Sequence, residues 1–275
     1  MTESIFITDG PRRPGRDRFV PTEQARGPWD PHAAHGGAPA ALITSAFERM
    51  LADGGSVGAE LRIGRLSFEF LRPIPLAPLT LSTSVVRPGR RVRQLAAELL
   101  HGEETVVRAS ALGVTAVPEE AAAGQGADGE PGTPMAPPAS GEPVRFALDG
   151  SSEASFAGTA MEMRWLSEAR ALGPGRVWMR LRHPLLPGQE PTALARLAAT
   201  ADFGNGISAA LPFDRFVFIN ADLTIHVQRP PRGEWIGLDA RTLLHAGGAA
   251  TAEGVLHDEH GAVGRAFQTL VVQAR

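Results

Sequence analysis

Residues 66–75, LSFEFLRPIP, and residues 223–231, LTIHVQRPP, carry one pattern twice. Leu66, Phe68 and Phe70 alternate along the first stretch as Leu223, Ile225 and Val227 do along the second, and both stretches run into Arg-Pro, at Arg72-Pro73 and Arg229-Pro230. A period of two predicts a strand with one buried face. The offset between the stretches is 157 residues, and it recurs: Leu99-Leu100-His101 matches Val255-Leu256-His257 one residue short, and Arg108-Ala109 matches Arg265-Ala266. Separate matches at nearly one offset point to an internal duplication.

Between the copies, residues 118–143 (PEEAAAGQGADGEPGTPMAPPASGEP) are rich in Pro, Gly, Ala and acids with little to bury, the composition of a flexible linker. It separates an N-terminal domain, residues 1–117, from a C-terminal domain, residues 144–275. Each half has one helical pattern followed by strands. In the first, Leu42, Ile43, Ala46, Phe47, Met50 and Leu51 recur at helical spacing, with Pro39 in the opening turn and Gly54-Gly55 ending the run. In the second, a single helix is predicted from Pro191-Thr192 to about Leu211. A late strand puts Ala266, Gln268 and Leu270 on one face and Phe267, Thr269 and Val271 on the other. One helix with several antiparallel strands, occurring twice, predicts an α+β fold in which a curved sheet wraps a central helix, doubled within one chain.

Composition removes several chemistries. The chain has no Cys, and all 27 of its basic residues are Arg. Thiol nucleophiles, disulfides and Cys-ligated metals are excluded, as are Schiff-base and P-loop lysines. A net charge of -3, with arginines scattered among acids, argues against a nucleic-acid surface. No stretch approaches the roughly 18 apolar residues of a membrane span, and the N-terminus carries no secretory pattern, so a cytoplasmic protein is expected. There is no Gly-x-Ser-x-Gly elbow, no His-Glu-x-x-His pair and no complete glycine-rich nucleotide fingerprint. His257-Asp258-Glu259-His260 reads as a hairpin turn rather than a metal pair, and no metal or other cofactor is expected.

Three polar residues stand out in the second half. On a helical wheel Asp202 shares a face with Ala195, Ala198, Ala199, Asn205, Gly206 and Ala209, a face small enough to press against another backbone or a ligand. A carboxylate there needs a partner or is poised for use. Gln268 is a polar amide on an otherwise apolar stripe. Asn220 alternates with Asp222, Thr224 and His226, which also suits the wet side of a strand. The plain alternatives are a locally bonded Asp202 and a structural Gln268. The repeat places Ser45 opposite Asp202, Ile63 opposite Asn220 and Ala111 opposite Gln268, so the first half lacks all three groups and one working site per chain is expected.

These residues resemble the acyl-CoA thioesterase II family, whose chains are two fused hotdog domains. The likeness rests on Gly36-Gly37 opening the first helix, the Arg-Pro strand ends, the second-half helix with its Asp, and the terminal strand with its Gln. It implies a tandem double hotdog fold, an acyl-CoA substrate and a hydrolytic water held by an Asp, a Thr and a Gln. Asp202 and Gln268 fall at two of those positions, and Asn220 takes the place of the Thr. By that resemblance Asp202 is the general base, Gln268 and Asn220 orient the water, and backbone amides near Gly36-Gly37, beside His35, bind the substrate oxyanion. Homo-oligomerisation is also expected, since sheet edges remain available.

Two other readings stay open. Asp30 and His35, five residues apart before the first helix, resemble the Asp and His of hotdog enoyl-CoA hydratases, although the Asn between them is missing. The same fold could also serve as a non-catalytic acyl-CoA or lipid-binding protein.

Overall fold

The computed structural model describes residues 3–11, 13, 15–53, 61–118, 121, 135–146, 154–169 and 171–275. In chain order the first half supplies β1 (Phe6–Thr8), β2 (Arg16–Pro21), α1 (Gly37–Asp53), β3 (Leu61–Phe70), β4 (Leu79–Arg87), β5 (Val92–His101) and β6 (Glu104–Thr115). The second supplies β7 (Glu142–Pro143), β8 (Met161–Trp165), β9 (Gly175–Leu181), α2 (Ala193–Ala201), α3 (Gly204–Ile207), β10 (Phe216–Asn220), β11 (Asp222–Val227), β12 (Ile236–Leu243), β13 (Ala250–Asp258) and β14 (Gly261–Ala274). The strands form one antiparallel sheet in the order β1-β2-β4-β5-β6-β3-β11-β14-β13-β12-β9-β8-β7, with β10 also paired to β14.

The repeat explains this order. Shifting by 157 residues carries β4 onto β12, β5 onto β13, β6 onto β14 and β3 onto β10 with β11, so the sheet reads alike from both ends toward its middle. The middle is the pair of repeated stretches, residues 66–75 and 223–231. β3 and β11 run antiparallel with Ser67 opposite Thr224, Leu66 opposite Ile225 and Phe68 opposite Leu223. Ser67 and Thr224 are equivalent positions of the two copies, and their hydroxyl oxygens lie 3.5 Å apart on the local two-fold axis. Leu66, Phe68, Leu223 and Ile225 are each at most 1% exposed, and burying a side chain of that size contributes about 1.5–3 kcal/mol. α1 and α2 lie against each other across the same axis. A Cβ on Gly37 would stand 2.7 Å from the carbonyl oxygen of Ala199, and Ala195, Ala198 and Ala199 are fully buried, so the small face is there to let two backbones approach.

Three expectations need correction. The single helix to Leu211 is two helices, interrupted at Asp202 and Phe203 and ended at Ser208. Asn220 and Asp222 do not share one strand, because Ala221 separates β10 from β11. The stretch expected to be a flexible linker is partly built into the fold: Ala136 accepts a hydrogen bond from the Trp178 indole at 2.7 Å, Pro138 is buried, and β7 pairs with β8. Residues 119–120 and 122–134 of that stretch, and Gly54-Gly55, lie outside the described residues.

The Arg-Pro ends fasten the hairpins beside them. Arg229 forks onto both oxygens of Asp258 at 2.6 and 2.7 Å, and Arg72 pairs with Glu104. Asp258 also accepts from the amides of Arg232 and His260, at the turn closed by Gly261 with φ +117°. The 257–260 stretch is thus a hairpin, although His257 and Asp258 belong to the end of β13. Burial would raise the Asp258 carboxyl, but these hydrogen bonds outweigh it and hold its pKa at about 2. A depressed folded-state value stabilises above the unfolded value of about 4 and is lost as pH falls toward 2. Asp258→Asn is expected to lower the unfolding free energy at pH 7 by about 2 kcal/mol, and the gap from the parent should close between pH 4 and pH 2 in urea titrations.

Candidate active site

α2 begins at Thr192, whose hydroxyl accepts from the Ala195 amide at 3.1 Å. It stops one turn after its Ala face, where Phe203 N–H bonds back to Thr200 at 3.1 Å and tightens the chain. A break in a helix orphans an acceptor and a donor. Gln268, on β14 and 3% exposed, satisfies both: its Nε2 donates to the Asp202 carbonyl at 3.1 Å and its Oε1 accepts from the Asn205 amide at 3.0 Å. Gly204 makes room, because a Cβ there would lie 2.7 Å from Gln268 Oε1.

The break turns the Asp202 carboxylate toward the first turn of α1. Its Oδ1 accepts from Asn220 Nδ2 at 2.8 Å, and its Oδ2 is 3.0 Å from His35 Nδ1. Gly36 lies against it: a Cβ there would stand 2.8 Å from Oδ2 and 3.0 Å from the Phe70 ring. His35 is stacked on Phe203, with ring centroids 4.3 Å apart, and Phe156 lies at 5.1 Å. The Gly37 amide is 3.0 Å from the same His35 Nδ1.

Asp202, Asn205, Asn220, His35 and Gly36 line a cavity of about 420 Å³, walled by Trp29, Phe70 and Ile74. The wall also includes Leu71, Ile219, Val271 and Gln273, and the first three of these are 43% to 50% exposed, so the cavity opens to solvent past the gap at Ala221. Four of the six residues singled out from the sequence, Asp202, Asn220, His35 and Gly36, line this cavity, and a fifth, Gly37, is buried beside it with its amide on His35 Nδ1. The sixth, Gln268, is not among the lining residues; it stands behind Asp202 and binds backbone, because the helix break demands both ends of its amide.

Asp30 also lines the cavity, but its carboxylate accepts from the His32 amide at 2.8 Å, and the partner of His35 is Asp202. At the equivalent place in the first half, Ser45 bonds the Ala41 carbonyl within an unbroken α1, and Ile63 and Ala111 are buried apolar side chains. Among the described residues no group of three or more His, Asp and Glu could hold a metal ion, and no helix is long and apolar enough to cross a membrane. Sequence reasoning did not find Trp29, Phe156 or Phe203, which surround the polar centre, since each reads as an ordinary core aromatic.

Residues 25–114 match the acyl-CoA thioesterase N-terminal domain, and residues 127–272 match the acyl-CoA thioesterase C-terminal domain. The chain therefore belongs to the acyl-CoA thioesterase family and is a thioester hydrolase. Among solved structures, it is similar over 97% of its length to a protein from Novosphingobium aromaticivorans, with 98% of that chain covered, TM-score 0.71 and 20% identity. It is also similar to acyl-CoA thioesterase II TesB2 from Mycobacterium marinum, at TM-score 0.66 and 17% identity over 100% of this chain and 95% of that one. A protein with a hot dog fold from Alicyclobacillus acidocaldarius matches at TM-score 0.70 and 16% identity, over 94% of each chain. At such identities the likeness is one of fold. A search of curated protein sequences finds no match.

Two glycines near the break should respond in opposite ways to a methyl group. Gly36→Ala forces a Cβ against Asp202 and Phe70 and is expected to cost about 1–3 kcal/mol of stability. Gly206, in α3, has nothing within 4 Å of its Cβ position, so Gly206→Ala is expected to be neutral or to stabilise by up to about 1 kcal/mol. Chemical denaturation of the two variants checks both.

Proposed function

We propose that the chain hydrolyses an acyl-CoA to the free acid and CoA by direct attack of water, with Asp202 as general base. The observation that carries this reading is the Asp202 carboxylate. It is 3% exposed, is held by Asn220 at 2.8 Å, and faces a cavity at the start of α1. Water adds its oxygen to the thioester carbonyl carbon while Asp202 accepts its proton. The oxygen of the tetrahedral intermediate is received at the start of α1, around Gly36 and Gly37, where the helix dipole favours negative charge and the Gly37 amide has only the side chain of His35 as its partner. Collapse breaks the C–S bond, and the departing thiolate takes the proton from Asp202.

Asn220 commits Nδ2 to the carboxylate and keeps Oδ1 to accept from the water, the part played by a hydroxyl where the family carries Thr. Gln268 acts by fixing the backbone of Asp202, since both ends of its amide are engaged there. His35 and Gly36 border the substrate. The reading includes two hotdog domains, residues 1–117 and 144–275 joined through 118–143, each a sheet wrapped around its helix, in a cytoplasmic protein. Self-association is part of it, with exposed Ile219, Phe267 and Val271 as apolar surface to be covered.

The test is thiol release from a panel of acyl-CoAs from acetyl to palmitoyl. Release by the parent and a fall of at least ~100-fold in kcat for Asp202→Asn, with the melting temperature retained, are the expected results. Tight binding of the esters without turnover would replace this reading by a binding protein. Hydration of an enoyl-CoA without thiol release would replace it by hydratase chemistry.

A further inference from the structure

His35 Nδ1 has two neighbours that ask opposite things of it. The Gly37 N–H, 3.0 Å away, needs an acceptor, and Asp202 Oδ2, also 3.0 Å away, needs a donor. A ring nitrogen carries either a proton or a lone pair and meets only one of these demands. With the lone pair on Nδ1, two acceptors face each other at 3.0 Å unless Asp202 is protonated, the form that cannot act as a base. With Asp202 ionised, the proton goes to Nδ1, because a hydrogen bond to a carboxylate is about twice as strong as one between neutral groups. The Gly37 N–H then has no acceptor on the protein side. It belongs to the first turn of α1, beside the carboxylate, where donors lack helical partners.

We propose that His35 is a positioning residue whose Nδ1 proton holds the Asp202 carboxylate and thereby releases the Gly37 amide to bind the oxygen of the thioester. The inference rests on the reading of Asp202 as base. One proton position sets both halves of the reaction: the base is charged and the oxyanion donor is free in the same state. Protonating Asp202 disables both, since Nδ1 turns its lone pair to Gly37 and ties the amide up. The surroundings allow this switch without disturbing the ring, which Phe203 and Phe156 hold by stacking. The other charged groups on the cavity are Asp30, which caps its own turn, and Arg72, which pairs with Glu104.

Two measurements test it. In protein labelled with ¹⁵N-histidine, long-range ¹H–¹⁵N correlation at pH 7.5, with His35 assigned by its loss in His35→Phe, is expected to show Nδ1 protonated and Nε2 bare. The opposite tautomer overturns the proposal. In thiol-release assays His35→Phe keeps a stacked ring and loses the donor. It is expected to cut kcat at least tenfold with KM changed less than threefold, and to move the acid limb of kcat/KM about one pH unit upward, because the charged form of Asp202 has lost a hydrogen bond. His35→Asn, whose amide N–H can stand near the Nδ1 position, should bring the limb back toward the parent. An acid limb in His35→Phe that coincides with the parent overturns the proposal, and the NMR arm and His35→Asn decide it if His35→Phe does not fold. No thiol release by the parent defeats the thioesterase reading alone, because the tautomer still shows where the proton sits.

Discussion

The antiparallel pairing of β3 with β11 is the contact on which the rest depends. Ser67 meets Thr224, its own counterpart in the repeat, so the two halves join as like to like, and the apolar neighbours Leu66, Phe68, Leu223 and Ile225 close over the same seam. Once that register is set, the sheet order outward is fixed on both sides and the helices meet across the axis. Their approach is close enough that Gly37 and the Ala face of α2 have no room for larger side chains. A one-residue slip would send every buried side chain of these strands to the other face, which is why alternation in this stretch carries so much information.

The candidate site is a local departure from that symmetry. In the first half α1 is continuous and Ser45 bonds within it; in the second the helix opens at Asp202 and the strand opens at Ala221, at positions that face each other. The two openings are coupled. Gln268 restores the hydrogen bonds that the helix loses, and Asn220, freed at the end of β10, reaches the carboxylate that the break exposes. The first half places Ile63 and Ala111 where these amides would be; its α1 runs on unbroken, and β3 is continuous with only a register shift at Gly64, the counterpart of Ala221. His35 and the first turn of α1 come from the first half and Asp202, Asn220 and Gln268 from the second, so the polar cluster is shared between the halves.

Much of this was legible in the residues. The period-two stretches, their offset and the helical spacing gave the strands, the duplication and α1, since each is set by side chains a few positions apart. Asp202 and Gln268 announced themselves as polar groups on small or apolar faces, and the missing counterparts in the first half suggested a single site. What failed was continuity. In PTALARLAATADFGNGISAAL, Gly204 and Asn205-Gly206 weaken the helix, but they do not single out Asp202 as its end, because the group that stabilises the break comes from β14, far along the chain. The same holds for residues 135–143, whose composition suggests a linker but whose backbone is held by Trp178 and β8.

Local chemistry thus determined which segments are strands and helices, which of their faces are buried, and that one half alone carries polar groups. Only the tertiary structure decided what those groups do for each other: that His35 reaches Asp202 across the pseudo-dyad, and that Gln268 serves backbone while Asn220 serves the carboxylate. The physical reason is that periodicity reports a residue's relation to its own element, whereas a hydrogen bond is set by the few ångströms between elements, and those distances exist only after both halves have packed.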